Sequence, residues 1–109
     1  MPRHEFGMMP FAPRFGKRYD KYEPQKYSCI SIEDVYIERI AEGLQSVDSY
    51  WHTLSVKGKG LAYYGITLIP PSSLKGFIRL IDNDPALSEL TELLEKAEYE
   101  NKWVIHFGI

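Results

Sequence analysis

The stretch Leu61–Ser73, LAYYGITLIPPSS, constrains this chain more than any other. Aromatic and β-branched residues run through it to Ile69 in the manner of a strand. Pro70 and Pro71 cannot donate to a ladder and stop that strand, and Ser72 or Ser73 stands where a helix needs a cap. A strand that passes straight into a helix predicts a sheet with helices laid on it. Most of the remaining segments read as packing against this strand.

Upstream, Tyr50–Val56 (YWHTLSV) reads as its hairpin partner around Lys57-Gly58-Lys59-Gly60. With Val56 opposite Leu61, Tyr50 faces Thr67 and His52 faces Gly65. Strand alternation then places His52, Leu54, Tyr63 and Thr67 on one face and Trp51, Thr53, Tyr64, Ile66 and Leu68 on the other. The second set is more apolar and is expected to meet the helices. Downstream, Leu74, Phe77, Ile78 and Ile81 repeat at helical spacing over Leu74–Asn83. Asp84-Pro85, an N-cap followed by proline at the first helical position, restarts the chain as a helix to Glu100. Leu87, Leu90, Leu94 and Ala97 form its inner stripe, Asn101 ends it, and Trp103–Phe107 closes as a strand.

Before the hairpin, Tyr27–Ile32 fits a short strand. The pattern Ser31-Ile-Glu-Asp34 resembles a capping box, predicting one helix to about Val47 with Ile37, Ile40, Ala41, Leu44 and Val47 inward. Residues 1–26 differ from the rest. Pro2, Pro10, Pro13 and Pro24 with Gly7 and Gly16 exclude a helix, while Phe6, Met8, Met9, Phe11, Phe15, Tyr19 and Tyr22 are too apolar for a solvated tail. They read as an ordered, extended arm lying across the domain or a second subunit, with Phe6, Phe11 and Phe15 buried. The expectation is an arm over residues 1–26 and an α/β globular domain over 27–109. The fold class is α+β: a single domain with a four-stranded mixed sheet and about three helices packed mainly on one face.

Little in the chain points to chemistry. A lone Cys29 excludes an internal disulfide and reads as a buried strand residue. No cofactor and no metal are expected, since the three histidines follow no HxH or HExxH spacing. His106 reads as a structural hydrogen-bonding residue, and His52 with Tyr63 and Thr67 makes a candidate ligand or catalytic face. The Lys57–Gly60 turn lacks P-loop spacing, and Ser72 has no nucleophile-elbow context. No apolar run approaches the length of a membrane span, and the N-terminus lacks the core of a signal peptide, so a cytoplasmic protein is expected.

Charge is unevenly distributed. Residues 1–27 hold six cations against three carboxylates (+3), and residues 82–109 hold seven carboxylates against Lys96 and Lys102 (−5). On the last helix Glu89, Glu92, Glu95 and Tyr99 turn outward, a candidate partner-binding stripe for a cationic protein. The basic, aromatic arm offers phosphate contacts and stacking, but the acidity of the whole counts against a nucleic-acid partner. The segments GLAYYGITLIPPSSL and KWVIHFGI resemble those of small bacterial immunity proteins of polymorphic-toxin systems. The resemblance implies a non-enzymatic protein that binds and blocks a toxin domain, and it assigns no residue a role. Three readings are open: a protein-binding module of this type, a small ligand-binding or catalytic domain using the His52/Tyr63/Thr67 face, and a structural or oligomerisation module; the N-terminal arm offers a homodimer contact.

Overall fold

The strand that ends at Pro70 is an interior strand of a six-stranded antiparallel sheet. A computed structural model describes residues 2–109 of the chain. The strands are β1 (Arg3–Met8), β2 (Ile30–Glu33), β3 (Asp48–Trp51), β4 (Lys57–Lys59), β5 (Ile66–Ile69) and β6 (Val104–Phe107), in the order β2-β1-β6-β5-β3-β4. The helices are α1 (Asp34–Glu38), α2 (Ala41–Leu44), α3 (Pro71–Ile81) and α4 (Ser88–Tyr99). The protein is a single α+β domain, with six strands and four helices in place of the expected four and three, and no parallel pair among those six.

Two of the added elements come from runs read otherwise in the sequence. Arg3–Met8 lies between β2 and β6 inside the sheet. Lys57–Lys59, expected as a turn, pairs with β3 on the side away from β5. The reversal that permits this is made at His52, whose φ of 64° is left-handed. Trp51 N–H then bonds the Val56 carbonyl, so the chain returns after a tight loop. The third change splits the expected long helix. Ser31 lies in β2 and caps nothing, and Ile40 at φ −111° separates α1 from α2.

The hairpin register differs by one residue. Tyr50 stands opposite Leu68 and Trp51 opposite Thr67. Because side chains alternate, this shift turns β5 over relative to β3: Trp51 stays on the helical side, as expected, while Ile66 and Leu68 leave it. Thr67 and Ile69 face the helices together with Phe6, Ile32 and Val104, over a core closed by Ile37, Leu44, Leu74, Phe77, Leu90 and Leu94. Ile66 and Leu68 are buried on the opposite face with Met9, Ile105 and Phe107, covered by Tyr19, Tyr27, Cys29, Leu54 and Trp103.

The apolar residues of the expected arm divide. Phe6 is fully buried, whereas Phe11 and Phe15 are exposed at 83% and 82%. After β1 the chain crosses to the far face of the sheet and lies over the second cluster as a long loop. A 3-10 turn at Pro24–Tyr27 leads it back into β2. The inner stripes of the last two helices agree with the sequence, but Ser72 and Ser73 lie inside α3 and do not cap it. The helix starts at Pro71, Pro70 is its N-cap, and the Ser73 hydroxyl donates to the Asp48 carbonyl. Asp84 accepts from the Ala86 amide and caps a 3-10 turn at Pro85–Leu87, which runs into α4, and Asn101 ends it at φ 57°. No helix among the described residues is long and apolar enough to cross a membrane.

Candidate functional site

The densest chemistry lies where β1, β6 and β5 meet beneath α1. In β1, His4, Phe6 and Met8 point toward the helices. In β6 those positions are Val104 and His106, and in β5 they are Thr67 and Ile69. Strand pairing sets Phe6 and Thr67 on either side of His106, with His4 one pleat along. The result is a buried polar line. His4 Nε2 is 2.8 Å from Asp34 Oδ1, His4 Nδ1 is 2.8 Å from His106 Nε2, and His106 Nδ1 is 3.2 Å from Thr67 Oγ1. The Ala62 amide donates to Thr67 Oγ1 at 2.7 Å, and the Tyr63 hydroxyl donates to Asp34 Oδ1.

One assignment of protons satisfies every member. Ala62 N–H donates to Thr67, the Thr67 hydroxyl to His106 Nδ1, His106 Nε2–H to His4 Nδ1, and His4 Nε2–H to the Asp34 carboxylate. Each imidazole is neutral and each nitrogen has one role. Electrostatics agree at both ends. The Tyr63 hydroxyl, with His4 beside it, outweighs burial and holds the Asp34 carboxyl below its usual range. Burial, reinforced by His4, pushes His106 well below an ordinary histidine. Burial and the bond to Asp34 push the Tyr63 phenol up. The rings of His4 and Tyr63 stack at 4.8 Å and those of His4 and His106 at 5.0 Å.

Geometry limits what this line can do. His4, His106 and Thr67 have no exposed surface, and only Asp34 and Tyr63 approach solvent. Beside Tyr63 lies a small cavity of about 180 Å³ walled by Ile37, Ala41, Leu44, Gln45, Leu61 and Tyr63 itself. The ring nitrogens of His4 and His106 and the hydroxyls of Thr67 and Tyr63 are all engaged within the line, and His4, Asp34, Thr67 and His106 do not line that cavity. The line's evident work is to fasten three strands and the start of α1 in one register.

The expected His52/Tyr63/Thr67 face is only partly assembled. Tyr63 and Thr67 are joined through Asp34, His4 and His106. His52 lies apart, at the edge of the loop-covered face. Its Nδ1 is 2.8 Å from Asp20 Oδ1, and its Nε2 accepts from the Ile66 amide at 3.3 Å. Both ring nitrogens are therefore engaged in holding the loop to β5. Cys29 is half-buried, and burial pushes its thiol up to about 12, far from a reactive thiolate. Among the described residues no group of three or more histidine, cysteine or carboxylate side chains is arranged to hold a metal ion.

His4 and Asp34 are the members that sequence reasoning missed. The signal was the alternation in RHEFGM, where His4, Phe6 and Met8 share a face. Pro2 and Gly7 disguised it as irregular chain.

The α4 stripe is disposed as the sequence predicts. Glu89, Glu92 and Glu95 are exposed, and Tyr99 is 89% exposed. None of the ion pairs among the described residues involves these three glutamates. Asp84, by contrast, is taken by Arg39 at 3.1 Å. The arm does not neutralise the stripe, because it lies on the other side of the sheet and Arg18 and Arg3 pair with Asp20 and Glu33. Comparison of the chain with protein-family models, with curated proteins and with solved structures finds no match.

Proposed function

We propose that the protein is a non-enzymatic binding module whose α4 face docks a cationic protein partner. The observation that carries this reading is the outward row Glu89, Glu92 and Glu95 with Tyr99, exposed carboxylates that no ion pair among the described residues engages, beside a large exposed ring. Such a surface steers a positively charged partner and gives it an amphipathic anchor. The full engagement of His4, His52 and His106 in internal hydrogen bonds supports binding over turnover. The resemblance to immunity proteins fits the same reading: a toxin domain that must attract phosphate presents the cationic surface this stripe requires.

The test is association of the chain with candidate cationic toxin domains, at low and moderate salt, before and after Glu92→Lys with Glu95→Lys. The reading expects a lower on-rate and a weaker salt dependence in the double variant. Identical rates and salt slopes would reduce the acidic stripe to ordinary solvated surface. A second reading, self-association through the arm, rests on Phe11 and Phe15, two aromatic rings left in solvent on one loop.

A further inference from the structure

On the face of the sheet opposite the helices, the loop between β1 and β2 builds a pocket of about 370 Å³ with Ile105 of β6 at its base. Its walls carry Lys17, Arg18, Lys21 and Lys26 together with Tyr19 and Tyr27, and two carboxylates, Asp20 and Glu23. We propose that this pocket binds a polyphosphate-bearing ligand of nucleotide size.

The wall is a fixed structure. Tyr19 N–H donates to the His52 carbonyl at 2.6 Å, the Arg14 amide donates to the Tyr19 hydroxyl at 3.1 Å, and His52 holds Asp20. At the other end the 3-10 turn accepts the Ser28 and Cys29 amides, and Tyr27 packs on Phe107. These bonds hold the backbone that carries the cations, so the cavity they line keeps its place and only exposed side chains have to be ordered on binding.

The charges inside are unequal in their commitments. Arg18 forks onto Asp20 at 2.8 and 3.4 Å, and this pairing holds the Asp20 carboxyl below its usual range, so these two cancel. Lys17 stands 5.0 Å above the Tyr19 ring and Lys26 stands 5.6 Å above the Tyr27 ring. A lysine over a ring face keeps its outward N–H donors for another partner. Among the described residues no ion pair involves Lys17, Lys21 or Lys26, and Glu23 is the only other carboxylate in the wall. Three ammonium groups against one carboxylate leave an uncompensated positive concavity. Low-dielectric walls concentrate such a field on an anion that enters.

Phosphate chains suit this set better than a single carboxylate. Lysines act as point charges that each take a separate phosphate, and a cavity of this volume falls in the range of small-ligand sites. The Tyr19 and Tyr27 rings stand in the same wall, each carrying a lysine over its face. The pocket is independent of the α4 face, since the sheet stands between them.

Calorimetric titration of the full chain with ATP, inorganic triphosphate, adenosine and a triglutamate peptide tests the assignment. ATP and triphosphate should bind at low salt and weaken as salt rises, while adenosine and the peptide bind far more weakly. Lys17→Glu with Lys21→Glu, both exposed and confirmed as folded by thermal melting, should weaken ATP by about tenfold or more. Lys75→Glu with Arg79→Glu, an equal charge change on the helical side, should leave ATP binding unchanged. ATP tighter than triphosphate assigns the rings a share in recognition, and equal affinities assign the site to the phosphate chain alone. Absence of binding by both phosphate probes overturns the proposal. So does equal loss in the two charge-reversed proteins, or a peptide bound as well as triphosphate.

Discussion

His106 illustrates how one side chain couples the buried line to pH. In the folded chain it takes up a proton only well below the ordinary value of 6.5, because burial and His4 oppose the charge. The unfolded chain takes that proton up near the ordinary value and so binds more protons in the interval beneath it. Stability is therefore full above about 6.5 and falls as pH drops, by at most about 1.4 kcal/mol per pH unit from this group. Thermal melts taken downward from neutral pH should show that decline. His106→Gln, which retains a donor for His4, should flatten it; an unaltered slope would assign the acid limb to another group. Asp34 acts lower on the scale. Its carboxyl is depressed, so the stability it contributes is present above 3.8 and lost as pH falls further. Tyr63→Phe removes the largest cause of that depression. We expect the Asp34 titration, followed by NMR, to move up toward the usual range and the fold to lose about 1–3 kcal/mol, as for a hydrogen bond to a charged group. An unmoved Asp34 would show that His4 alone holds the carboxylate.

At the scale of elements, what the sequence made legible follows from local chemistry. Pro70–Pro71 ends β5, Leu74, Phe77 and Ile81 face inward from α3, Asp84 caps, and Leu90, Leu94 and Ala97 line α4. Those signals are written within a few residues of where they act. Register and strand order are decided by distant partners, and there the reading failed. His52 adopts a left-handed backbone that its neighbours do not announce, so Lys57–Lys59 reads as a turn and the residues of β5 read onto the wrong face. The candidate site was hidden for the same reason: His4, Asp34, Thr67 and His106 lie far apart in the chain and meet only once β1 is inserted. Gly7 marks that insertion. A Cβ there would stand 2.7 Å from Cys29 Sγ and 2.8 Å from the Tyr27 carbonyl, so the loop closes directly over the strand. Gly7→Ala should cost about 1–3 kcal/mol through crowding that backbone cannot relieve, measured as a lower denaturant midpoint. Ile66→Ala, in the cluster beneath the loop, should cost about 2–5 kcal/mol. A surface-like effect at either position would contradict the packing of this face.

For the molecule as a whole, residues 2–28 are part of the body. The radius of gyration of 12.4 Å is near the roughly 13 Å expected of a folded chain this long, which leaves no room for a projecting arm. The segment has two halves with different physical roles. Arg3–Met8 is bonded on both sides, to β2 and to β6, and it supplies His4 and Phe6 to the core. Removing it would strand β2, expose the edge of β6 and leave Asp34 and His106 without their common partner. A chain lacking residues 1–8 should therefore fail to fold cooperatively, seen as loss of a sigmoidal melt. Phe11 and Phe15 touch little of this, so Phe11→Ser with Phe15→Ser should leave the melting midpoint within about 0.5 kcal/mol of the parent, as substitutions of exposed residues do. Their effect belongs to association. If the two rings bury themselves against a second copy, the double variant should sediment as a monomer at concentrations where the parent is larger, with the melt of the dilute protein unchanged. If the parent is itself monomeric at high concentration, the rings serve no dimer. A large fall in the dilute melt would instead show that they pack on their own chain.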